Sequence, residues 1–239
     1  MNRFLLSIAI TFLIIFALCV IFYLRAATIF CKFKKKKSLE KMIPKLKTGD
    51  IIFVRNDYLF EKNIIKFLTH NVLYTSLTNI LYTHACIIIK IDGVPYVYTS
   101  INSQRYDNIS GKYKNGAVLL NIYDYLKRYP GDIICYSIKK EIVSKNVDFL
   151  GCNMNKSFPP NYSVVFNAGL GTDVMHHSDK IFCVEAVLYA MILLGIINDS
   201  ILPHRYDVLD LVNIVKKSKK YEKPILIKNS YYYSIKMAK

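Results

Sequence analysis

The sequence predicts an α+β fold with an antiparallel sheet, because apolar strand-like runs come first and a long apolar helix follows them. Ile51–Val54 form an apolar run directly after the turn Thr48-Gly49-Asp50. The runs 84–91 and 94–99 are separated only by Asp92-Gly93, a strong hairpin signal. Residues 181–196 then read as an apolar helix stopped near Gly195.

The first element is residues 4–24, which carry no charge and include fifteen Leu, Ile, Val or Phe. At about 1.5 Å per residue that length reaches the roughly 30 Å of a hydrocarbon core, so a transmembrane helix is expected there, ahead of the folded body. A cleaved signal peptide fits less well, since its apolar region is shorter and ends in a small-x-small site. Basic residues crowd the far side of the run, and the positive-inside rule then puts the main domain on the cytoplasmic side of a single-pass membrane protein, the membrane being that of the virion if the protein is viral.

Residues 25–45 read as a basic juxtamembrane linker, with Pro44 against a continuous helix. A domain over 46–215 and a basic, tyrosine-rich tail over 216–239 complete the chain. Within the domain, 57–82 read as a helix and loop, 101–115 as a polar loop, and Val118–Leu120 and Ile133–Ile138 as strands. A short helix at Asn121–Tyr129 is closed by Pro130-Gly131, 151–180 form a loop-rich insertion, and Pro203–Val215 end the domain as a turn and amphipathic helix.

The formal net charge of +16 sits at the ends. Residues 25–47 hold +8, residues 216–239 hold +7, and residues 48–215 balance to zero. A nucleic-acid-binding domain concentrates its charge on the folded body, so nucleic acid is not expected as a partner. The basic flank points instead to anionic lipid, and the expected partners are a membrane and a peptide or lipid-linked substrate. The six cysteines show neither a CxxC pair nor regular spacing, so no metal, cofactor or disulfide framework is expected.

Two residues carry the chemistry. Cys183 stands in the first turn of its helix, where unpaired backbone N–H groups favour a thiolate. His84 opens a strand almost one hundred residues earlier. A thiol and an imidazole are the parts of a nucleophile–base pair. Asp50, after a glycine in a turn, reads as structural. Glu185 is either solvated or paired with a lysine. His176-His177 and Cys152 are weaker candidates, as metal ligands and as a rival nucleophile.

The order of these pieces resembles a known family. Lys47-Thr48-Gly49-Asp50-Ile51-Ile52-Phe53, Thr83-His84-Ala85-Cys86-Ile87-Ile88-Ile89 and Phe182-Cys183-Val184-Glu185-Ala186-Val187 resemble, in that order, motifs of the circularly permuted NlpC-type papain-like superfamily. Asp124–Asp132 resembles the short helix and turn between its later strands. Members occur in bacteria and in large DNA viruses, including poxviruses. The resemblance covers 46–215 and implies a permuted papain-like fold, with the sheet packed against the helix that carries the cysteine. It implies Cys183 as nucleophile and His84 as its base, with a third polar residue orienting the imidazole. The sequence departs at that third place, where Thr99 stands and many relatives have glutamate. Asp107 and Asn102 are alternatives to Thr99.

The implied activity is a membrane-anchored thiol hydrolase or acyltransferase acting on an amide, ester or thioester. The alternative is an inactive, membrane-tethered structural or binding protein, of a viral particle for example, that retains the papain-like core.

Overall fold

The computed structural model describes residues 3–31, 39–55, 82–129, 131–142, 150–159 and 178–228. Helix α1 is Arg3–Cys31. The transmembrane helix expected at 4–24 is corrected here: among the described residues, no helix is long and apolar enough to cross a membrane. The single-pass placement and cytoplasmic orientation rested on the span, and they fall with it.

The body is α+β, as the strand-then-helix pattern predicts. Six strands form one antiparallel sheet in the order β4-β3-β2-β1-β5-β6. Their ranges are β1 Ile51–Arg55, β2 His84–Ile91, β3 Val94–Asp107, β4 Lys112–Asn121, β5 Asp132–Tyr136 and β6 Ile225–Lys228. β1 is buried along its whole length, and β2 and β5 flank it. That position explains its uninterrupted apolar sequence, for a strand covered on both faces needs no polar alternation.

Alternate side chains feed two cores. Ile51, Phe53, Ala85, Ile87 and Ile89 face helices α5 (Cys183–Leu193) and α6 (Val208–Lys217). Ile52, Val54, Cys86, Ile88 and Val97 face α2 (Leu39–Met42), a 3-10 turn at Ile43–Lys45, and α3 (Ile122–Arg128). A one-residue slip of any central strand would exchange the two sets, so the register is strongly fixed.

Local signals account for most joints. Asp92 and Gly93 both adopt positive φ, as the two-residue hairpin between β2 and β3 requires. The Asn121 side chain accepts the N–H groups of Tyr123 and Asp124 and caps α3. Asp207 accepts the N–H of Asp210 and starts α6. The polar segment expected as a loop at 101–115 is instead mostly paired, for β3 and β4 run on past the core as a ribbon whose ladder is irregular between Ile101 and Arg105. Asp107 closes its tip by accepting the N–H groups of Ser110 and Leu119, and pairs with Lys114 at 3.1 Å.

Gly116 marks where the segment after α4 (Gly151–Met154) crosses β4. Its φ is +88°, and a Cβ there would stand 2.2 Å from the Lys156 carbonyl oxygen, so no other residue fits unstrained. β6 comes from the stretch read as a basic tail. Lys228 at its end is buried and donates to the carbonyls of Leu126 and Tyr129, at the C-terminal end of α3. The helix and loop expected at 57–82 lie outside the described residues, apart from Tyr82.

Candidate functional site

The three residues singled out by the resemblance stand at one end of the sheet, where β2 begins. The ladder between β2 and β3 ends at Ile87↔Tyr98. Beyond that pair, side chains take over the backbone bonding. The Thr99 hydroxyl donates to the Ala85 carbonyl oxygen at 2.8 Å. The Thr99 hydroxyl oxygen itself lies 2.9 Å from His84 Nε2. A hydroxyl has one proton to give, and the carbonyl can only accept it, so Thr99 accepts from Nε2–H. The neutral ring then carries its lone pair on Nδ1.

Burial pulls the His84 imidazole down to a pKa of about 4, from an ordinary 6.5. Its rim stays partly exposed. Thr99 is buried and uncharged, and offers an imidazolium nothing beyond one hydrogen-bond acceptor. The ring is therefore neutral at physiological pH.

Cys183 opens α5 and is buried. Burial raises its thiol pKa, opposed by the N–H groups of Ala85, Val184 and Cys183 itself, which point their partial positive charge at the sulfur. Burial wins, and the proton stays on sulfur at neutral pH. The structure thus joins His84 to Thr99 directly and brings Cys183 to the N–H of Ala85, the residue after His84. Among the described residues, no hydrogen bond links the Cys183 thiol to the imidazole.

The backbone leading into Cys183 is held at almost every step. Ser157 N–H donates to Asp179 O at 3.0 Å, and Ile181 N–H donates to Ser157 O at 2.9 Å. Ser100 Oγ donates to Ile181 O at 2.6 Å. Glu185 reaches back to accept the Phe182 N–H at 3.4 Å. Glu185 is buried, and its second carboxyl oxygen has no hydrogen-bond partner. The positive charge acting on it is that of Lys156, whose ammonium lies 5.1 Å from the centre of the Tyr189 ring.

Burial raises the Glu185 carboxyl to a pKa of about 7, against the smaller opposing pull of Phe182 N–H and Lys156. Because the folded value exceeds the ordinary 4.5, the folded protein holds this proton more tightly than the unfolded chain does. Stability from this group is therefore full below pH 4.5 and lost as pH rises to about 7. Glu185→Gln removes that dependence. Urea titrations at pH 5 and pH 8 should show the variant gaining on the wild type by about 2–3 kcal/mol across the interval. A gap that stays constant with pH would refute the buried, protonatable carboxyl.

The remaining candidates resolve as follows. Asp107 is committed to its hairpin and unavailable to His84, and Asn102 is exposed on the ribbon. Neither replaces Thr99. Asp50 is structural: it accepts the N–H groups of Lys47 and Ile138, and burial raises its pKa to about 6. Cys86 donates to the Tyr125 hydroxyl at 3.4 Å, and burial raises it to about 12, the mark of an inert core thiol. His176, His177 and the side chain of Cys152 lie outside the described residues.

Sequence reasoning missed Ser100, Ala85 and the burial of Glu185. Ser100 had a usable signal, since it adjoins Thr99 on a strand and must reach the opposite face. Glu185 had another, as the acidic third residue of a helix whose cap position holds Phe182, a residue without an acceptor. The chain matches no known family and no curated protein.

Proposed function

We propose that the protein is a thiol hydrolase or acyltransferase of papain-like type, with Cys183 as nucleophile and His84 as general base. The observation that carries this reading is the Thr99 hydroxyl, set between Ala85 O and His84 Nε2. It fixes the tautomer that leaves Nδ1 as a base, one residue from the N–H that the Cys183 sulfur reaches.

Both groups rest uncharged, so the reaction begins with proton transfer during attack. Cys183 sulfur forms a bond to the carbonyl carbon of an amide, ester or thioester while its proton passes to His84 Nδ1. That proton then goes to the leaving nitrogen, oxygen or sulfur as its bond to the carbonyl carbon breaks. Water or another acceptor attacks the resulting thioester with His84 again as base, and the thiol is restored. The N–H groups of Ala85 and Val184 beside the sulfur are suited to stabilise the negative charge that forms on the carbonyl oxygen. A peptide and a lipid-linked acyl group are equally compatible with this chemistry.

A generic acyl donor, p-nitrophenyl acetate, tests it. The rate of Cys183 acylation should fall on the acid side with a midpoint near pH 4, where His84 is protonated, and stay level through neutral pH. On the alkaline side it should climb again as free thiolate appears, at higher pH than for an ordinary thiol because burial raises this one. Cys183→Ser should leave no acylated peptide at this position. A rate proportional to hydroxide at every pH, with no level region, would overturn the pair.

A second reading is a protein that keeps the fold without turnover. It is favoured by the uncharged Thr99 and by the lack of a thiol–imidazole hydrogen bond among the described residues. It demands that acylation of Cys183 be indifferent to His84.

A further inference from the structure

Ser100 takes no part in the acyl transfer, yet it touches the backbone that carries the nucleophile. It is fully buried on β3, directly after Thr99. Successive strand residues face opposite sides of a sheet, so Thr99 reaches the His84 ring on one side and Ser100 reaches the backbone ahead of α5 on the other. Its hydroxyl donates to Ile181 O at 2.6 Å, and Ile181 N–H is already held by Ser157 O at 2.9 Å. Both polar groups of the residue two before Cys183 are thereby fixed, one by β3 and one by the segment that crosses β4.

We propose that Ser100 is a positioning residue for Cys183. Through the Ile181 carbonyl it holds the entry to α5 at the distance from β3 at which the thiol meets Ala85 N–H. Two neighbouring residues of one strand then set both halves of the pair: Thr99 the imidazole, Ser100 the sulfur. The assignment rests on the Cys183–His84 reading.

The entry to α5 is otherwise tied to the sheet through the isolated bridge of Ser157 with Lys180 and the bond from Ala117 N–H to Lys156 O, and the Ser100 hydroxyl links it to β3 itself. Without the Ser100 hydroxyl, the buried Ile181 oxygen has lost its donor, and the cheapest relief is a shift of 178–182 toward water. A displacement of about 1 Å is enough to cost up to roughly 100-fold in a reaction that needs two groups aligned.

The test measures acylation of Cys183 by p-nitrophenyl acetate against pH, with the acylated peptide identified by mass. Ser100→Ala should lower the level region at neutral pH roughly 10–100-fold. The alkaline limb, in which free thiolate attacks without help from His84, should be unchanged. A purely structural role predicts instead that the two regions fall together or that neither falls, and either result overturns the assignment.

Ser100→Cys keeps the volume and a weak S–H donor, and its neutral rate should lie between those of the wild type and Ser100→Ala. Should Ser100→Ala fail to fold, that variant carries the same comparison. A wild-type protein with no level region overturns the pair itself, and the Ser100 assignment with it. A wild-type level region that survives in Ser100→Ala overturns the assignment alone.

Discussion

His84→Ala should slow acylation of Cys183 by p-nitrophenyl acetate at pH 7 by about 10²–10⁴-fold. The size follows from the resting state. Burial keeps the Cys183 proton on sulfur, so nucleophilic attack at neutral pH depends on a base that takes the proton as the bond forms. His84 is neutral above about pH 4 and has its free lone pair on Nδ1, because Thr99 engages Nε2. The remaining rate in the variant should track hydroxide, since free thiolate is then the reacting species. Equal neutral rates in the variant and the wild type would select the reading without turnover. Thr99→Val separates orientation from basicity: it keeps the base and removes the acceptor that fixes its tautomer, so a smaller loss than that of His84→Ala is expected.

Gly131→Ala should be the most destabilising added methyl among the described glycines, at about 4 kcal/mol or more. A Cβ on Gly131 would lie 1.6 Å from the Arg55 carbonyl oxygen and 2.7 Å from its carbon, distances at which backbone must move. The neighbouring rung of the sheet pairs Arg55 with Asp132, and their side chains form an ion pair at 2.7 Å that is nearly closed to water. Lifting β5 to admit the methyl separates those charges as well, and a broken buried pair costs more than an exposed one. Denaturant unfolding measures the loss. A change below about 1 kcal/mol would show that the close approach is not maintained in solution.

The fold was legible where one residue type dictates one conformation. Asp92-Gly93 announced a turn, and the unbroken apolar runs of β1 and β2 announced strands covered on both faces. The long ribbon of β3 and β4 was hidden because its distal half, 101–107 against 112–116, is largely exposed and shows no alternation of apolar and polar residues. β6 was hidden by its setting, a short Ile-Leu-Ile run among lysines. The apolar run at 4–24 announced a helix, and α1 is one, but a membrane crossing was a stronger claim than the described residues bear.

At the site, the sequence offered the residue types, and the resemblance offered their order. Neither could show that Thr99 spends its only proton on Ala85, which is what assigns the tautomer of His84. That information lies in three dimensions, in a sheet whose ladder stops one rung early. The same holds for Glu185, whose burial no count of charges along the helix reveals.

The place of β1 at the middle of the sheet has a consequence in time. β1 leaves the ribosome before every other strand, but its two neighbours are β2, about 30 residues later, and β5, about 80 residues later. At roughly 5–20 residues per second of synthesis, the chain waits several seconds with its most apolar strand only half paired. Such distant pairings also slow refolding of the full chain, toward the millisecond-to-second range of non-local sheets. Cys183 emerges later still, after five of the six described strands, and its helix is added to a platform that already exists.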